Sequence, residues 1–134
     1  MEVVSSVVPI QRVDILEDAG ESLSPDIDIG QIEGAFTMGL GYWLLEHLEF
    51  DPKTGALLTN RAWNYKPPGA KDIPIDFRVQ MTSKTPNPVG VLRSKATDEP
   101  LVCMSVAIVF ALRNALDSAR KEAGKPESWY QISE

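Results

Sequence analysis

At 134 residues the chain has the length of one domain and enough sequence to bury a core. Its net charge of −6 and pI near 4.8 argue against nucleic-acid and anionic-membrane partners, which select basic patches, and no uninterrupted apolar run approaches the roughly 20 residues of a membrane span. The single cysteine, Cys103, excludes an internal disulfide, and the single histidine, His47, excludes a His-rich metal site; with no basic leader in Met1–Ser5, the expected address is cytoplasmic.

In chain order, Met1–Ile10 is β-branched and ends near Pro9, a candidate strand, and Gln11–Leu16 alternates around Val13 and Ile15, a second one. Glu17–Ser22 is acidic and turn-like. Leu23–Asp26 leads into a helix over Ile27–Leu48, with Asp26 or Asp28 as candidate N-cap. In that helix Ile29, Ile32, Phe36, Leu40 and Trp43 form an apolar stripe, while Gly30, Gly34, Thr37 and Gly41 form a second stripe of small residues. Each interior glycine costs about 1 kcal/mol against alanine. Four of them, counting Gly39, therefore need a reason: close packing against another element, or a bare backbone that a flat ligand can approach with Gln31 as a polar clamp. Glycine content alone does not separate the two.

His47–Thr59 reads as strand, turn and strand around Asp51–Gly55. Asn60–Asp76 is irregular and proline-punctuated, with Trp63 and Tyr65 expected to pin it down. Phe77–Met81 alternates as a strand, and Thr85–Pro88 turns the chain toward Arg93–Pro100. From Pro100 to Ala123 the pattern predicts one long helix, apolar nearly all round as far as Ala111 and amphipathic beyond Phe110. Gly124 is the candidate C-cap and Pro126 blocks extension; residues 124–134 read as a tail that Trp129 and Tyr130 can dock. The fold class is α+β, two long helices with several short strands. So much apolar helix surface suggests part of a larger domain.

The candidate chemistry lies at the mouth of the last helix. Glu99 follows Asp98 and precedes Pro100, which suits the first helical positions. A carboxylate there is either a capping acid or a general base whose pKa is set by burial, by Asp98, by Lys95 and by the helix dipole. Asp18, Glu21, Asp26 and Asp28 read as solvated or capping acids, and their spacing matches no EF-hand loop. Cys103 and His47 read as core or surface residues, and no metal-ligand cluster is apparent.

Three ordered segments, Asp26–Phe36 (Asp-Ile-Asp-Ile-Gly-Gln-Ile-Glu-Gly-Ala-Phe), Ile73–Val79 and Arg93–Pro100 (Arg-Ser-Lys-Ala-Thr-Asp-Glu-Pro), resemble the last part of the molybdopterin-binding domain of the xanthine dehydrogenase/aldehyde oxidase family. Arg12–Leu23 and Gly39–Trp43 lean toward the animal aldehyde oxidase branch, and the similarity runs over residues 13–120. The resemblance implies that Glu99 is the catalytic base, taking the proton of a molybdenum-bound hydroxyl whose oxygen attacks an electron-poor carbon of an aldehyde or N-heterocycle. It also implies that Gln31 contacts the molybdopterin cofactor. Asp98 occupies the place of a family glycine whose backbone lies against the molybdenum ligands.

Complete members also carry two 2Fe-2S domains, an FAD domain and the bulk of the molybdenum domain, none of which fits into 134 residues. Residues 1–134 are thus expected to be a C-terminal piece of the domain. Its partners would be the rest of such a chain, or the homodimer of the complete enzyme. The alternative is a non-catalytic structural or interaction module without cofactor.

Overall fold

A computed structural model describes residues 10–82, 84–126, 128–130 and Ile132. The elements run β1 (Arg12–Glu17), α1 (Pro25–Leu44), β2 (Asp76–Met81), a single 3₁₀ turn (Val91–Arg93), α2 (Glu99–Met104) and α3 (Ala107–Glu122). The expected strand at Met1–Ile10 falls outside the described residues except for Ile10.

β1 and β2 pair in parallel, from Arg12 opposite Asp76 to Glu17 opposite Met81. Parallel strands need a crossover, and α1 with the long loop after it provides one. The period of two sorts the side chains cleanly. Arg12, Asp14, Asp76 and Arg78 form an ionic lattice on one face, with Arg12–Asp14 at 2.6 Å and Arg78–Asp76 at 2.7 Å. Val13, Ile15, Phe77 and Val79 join the core on the other. Glu17 shares that inward register and is buried, which pushes its carboxyl above the usual range, with Asp18 adding to the effect.

The core is small: Ile15, Ile32, Ala35, Phe36, Leu40, Leu101 and Ile108, with Phe77 meeting Phe36 edge-on at 5.5 Å. Ile32, Phe36 and Leu40 are the middle of the predicted apolar stripe of α1. The helix begins earlier than predicted because Pro25 takes its first turn and Ser24 becomes the N-cap, so neither Asp26 nor Asp28 caps it.

The predicted helix over Pro100–Ala123 is two. At Ser105 and Val106 the hydrogen bonds tighten from i−4 to i−3, as in Val106 N–H to Cys103 O at 3.3 Å and Ile108 N–H to Ser105 O at 3.0 Å. The fully buried Ser105 also donates its hydroxyl to Val102 O at 2.5 Å. The cause lies across the interface: Ser105 sits against Gly39 of α1, where an added Cβ would come within 2.1 Å of its Oγ. Within Glu99–Glu122 one 18-residue window reaches a mean hydropathy of 1.6, so by length and composition alone it passes for a membrane span, although Ser105, Arg113 and Asn114 interrupt its apolar run. Little of it is buried: Val102, Met104 and Phe110 are exposed.

Elsewhere the expected strands shrink. The 47–59 segment keeps its turn, which the Asp51 carboxylate caps by accepting from Lys53 N–H and Thr54 N–H, but its strands reduce to one bridge, Phe50 to Leu57. Trp63 is not pinned; it is 88% exposed with Lys66 over its ring. Tyr65 does pin the loop, its hydroxyl donating to Glu46, and Pro68 adds a contact against Gly41. α3 ends as predicted, with Gly124 left-handed and Lys125 N–H bonded to Arg120 O, and Tyr130 docks beneath Arg113 and Arg120.

Candidate functional site

Glu99 opens α2, two residues before Leu101, which is fully buried in the core. Gln31 lies on α1 one residue before Ile32, another fully buried member of the same core cluster. The packing of α1 on α2 thus brings the two candidates to neighbouring helices. Both side chains are exposed, and among the described residues no hydrogen bond joins Gln31 to either acid. Within this chain the start of α2 is open to solvent.

Asp98 is the half-buried N-cap of α2, with right-handed backbone (φ −96°, ψ −41°), a conformation any residue adopts. A proton shared with the neighbouring Glu99 carboxyl, and then backbone N–H groups at the helix start, hold its carboxyl below the usual range. Lys95 does not stand over Glu99. Its ammonium is bound to Asp18, with Nζ to Oδ2 at 2.5 Å.

The glycines of α1 divide. Gly39 and Gly41 are buried and pressed by Ser105 and Pro68. Gly30 and Gly34, one turn apart and flanking Gln31, are exposed, and an added Cβ at either would meet nothing within 4 Å. Close packing therefore accounts for the later pair. The earlier pair leaves a bare strip of backbone beside a carboxamide, a surface that admits a flat group.

The other sequence candidates lie apart. His47 and Cys103 are exposed; Glu21 pairs with Arg93 at 2.9 Å, and Asp28 accepts from Ser22 Oγ. Asp18 is the correction among the acids. It is no solvated cap: its carboxylate takes Lys95, Thr85 and the Gly20 N–H together. The Asp-x-Gly turn was visible in the sequence; the distant lysine was not.

Comparison with known proteins identifies the family. The family described as molybdopterin cofactor-binding domain matches residues 2–74, which include Gln31; Asp98 and Glu99 lie beyond that match. Xanthine dehydrogenase/oxidase of Gallus gallus is 42% identical over 116 residues, 87% of this chain and 8% of that protein. Indole-3-acetaldehyde oxidase of Arabidopsis thaliana is 39% identical over 122 residues, 91% of this chain and 9% of that protein. Among solved structures, quinoline 2-oxidoreductase from Pseudomonas putida 86 matches with a TM-score of 0.65 and 28% identity, over 75% of this chain and 13% of that one. The chain thus spans under a tenth of the length of these curated relatives. Taken with the α+β fold and the ordered motifs, the match means that the chain belongs to the molybdopterin cofactor-binding domain family of the xanthine dehydrogenase/aldehyde oxidase enzymes.

Proposed function

We propose that this segment supplies the general base and one cofactor contact of an aldehyde oxidase-type molybdenum hydroxylase. The reading rests above all on Glu99, an exposed carboxylate at the first turn of α2, two residues before Leu101, which shares a core cluster with Ile32 of α1. The bare Gly30–Gln31–Gly34 strip of α1 fits a flat pterin: the backbone is uncovered and the Gln31 carboxamide offers both donors and an acceptor. The molybdenum–pterin group, when bound, would supply Lewis acidity and take up the substrate's electrons.

Within this chain, Gln31 would orient the pterin, and Glu99 in its ionised form would accept the proton lost as water-derived oxygen is added to an aldehyde or N-heterocycle. For an aldehyde, RCHO and H₂O give RCOOH, two protons and two electrons, the electrons passing to the 2Fe-2S centres and FAD of a complete enzyme. The rest of such a chain, or its homodimer, is the partner, in the cytoplasm.

Glu99→Gln in a complete enzyme carrying this segment should abolish turnover while molybdenum stays bound, because a base is removed and no ligand is. Activity within tenfold of the parent would refute the assignment. Asp98 favours a second reading, a non-catalytic module, since it adds a second carboxyl beside the base where relatives of this type are expected to have glycine. Asp98→Gly decides between them. A rise in turnover marks an impaired site, and stoichiometric molybdenum on the parent chain alone excludes the module.

A further inference from the structure

The segment before Glu99 is fastened with unusual thoroughness. Leu92 and Arg93 both adopt left-handed backbone, at φ 49° and 66°, a conformation that costs non-glycine residues energy and persists only where neighbours hold it. The restraint comes from the end of β1. Arg93 O accepts from Glu21 N–H at 3.0 Å and from Asn87 N–H at 2.9 Å, Lys95 N–H donates to Ala19 O at 2.9 Å, and Gly20 forms a bridge with Ser94. Gly20 is itself left-handed at φ 69°, and a Cβ there would stand 2.7 Å from Arg93 O. At the centre is one carboxylate: Asp18 Oδ2 takes Lys95 Nζ at 2.5 Å, while Oδ1 takes Thr85 Oγ1 at 2.7 Å and Gly20 N–H at 3.0 Å.

We propose that Asp18 is a positioning residue for Glu99, clamping Lys95 so that the Ala96–Glu99 loop is registered from the end of β1. The inference rests on the reading of Glu99 as base. The clamp and the buried Leu101 then form the two fixed ends of a short span, within which Thr97 Oγ1 donates to Lys95 O at 3.4 Å. Where the Glu99 carboxylate points depends on those ends. Lys95 serves through its bond to Asp18 and not as a counter-charge for Glu99. In support, Lys95 first, then Thr85 and Gly20, hold the Asp18 carboxyl well below the usual range, so Asp18 is ionised throughout the neutral range.

The test has two arms. In the 134-residue chain, Asp18→Asn should strip protection from the amides of Glu21, Asn87 and Lys95 in hydrogen exchange while the amides of α1 keep theirs; Lys95→Gln should do the same, and the double variant should be no worse than either. In a complete enzyme carrying this segment, Asp18→Asn should lower kcat roughly 10- to 100-fold, with KM and molybdenum content unchanged, and Asp18→Glu should recover most of the loss. Unchanged exchange and unchanged kcat overturn the proposal. So does protection lost equally across α1, or a kcat that Asp18→Glu does not restore, either of which makes Asp18 a general stabiliser. Glu99→Gln separates the two failures: if it keeps turnover, the base reading falls, whereas if it abolishes turnover and Asp18→Asn does nothing, the clamp alone falls.

Discussion

The two ends of α1 use glycine for opposite purposes. Toward the C-terminus, Gly39 and Gly41 are buried, and each lacks a side chain because another residue fills the space: Ser105 in one case, the Pro68 ring in the other. Toward the N-terminus, Gly30 and Gly34 face open space. Both pairs sit in one helix and carry the same intrinsic penalty of about 1 kcal/mol each. The penalty is offset inside the chain at one end only. At the other, an added Cβ would meet no described residue.

Adding a methyl group at each glycine breaks or sharpens that contrast. Gly39→Ala is the largest case: Ser105 is fully buried and tied to Val102 O, so it cannot yield, and a net loss of about 2 kcal/mol is expected despite the gain in helix propensity. The urea midpoint should fall with the m-value retained, and Gly39→Ala with Ser105→Gly should recover part of the loss. Gly41→Ala should cost about 1 kcal/mol, because the Pro68 ring resists and Glu46 can move only by giving up its bond from Tyr65. At the open end the sign reverses: Gly34→Ala should stabilise the chain by up to about 1 kcal/mol, yet lower molybdenum–pterin occupancy in a complete enzyme. Stabilisation with full occupancy would show that the strip carries nothing.

The acids at the end of β1 predict two further changes, of opposite sign. Asp18 is held below its ordinary value in the folded chain, so its contribution is complete above about pH 4 and is lost as the pH falls toward the folded value. Asp18→Asn should therefore flatten the acid limb of a stability–pH curve. Burial raises Glu17, so stability falls as the pH climbs from the unfolded toward the folded value. Glu17→Gln should relieve this at neutral pH, by less than about 1 kcal/mol, seen as a small rise in Tm.

Local periodicity made much of the fold legible. The alternation around Val13 and Ile15, and that of Phe77–Met81, identified both strands, while Ile32, Phe36 and Leu40 identified the buried face of α1. Pro25 held the information for the start of that helix, since proline at the first position points to Ser24 as cap. What the sequence hid were effects of distant partners. The tightening at Ser105 depends on Gly39, and the role of Asp18 depends on Lys95; neither pairing leaves a local pattern. The motif around Glu99 was readable as a family signature, whereas its exposure follows from how little of the chain packs over α2.

The clamp also has a consequence in time. Asp18 and Lys95 stand 77 positions apart, so at ribosomal rates of about 5–20 residues per second some 4–15 s separate their synthesis. Helix nucleation takes about a microsecond, so α1 can be formed long before Lys95 exists. Phe77, which closes on Phe36, is also made first. The loop that carries Glu99 is then fastened to strands and a helix that were synthesised before it.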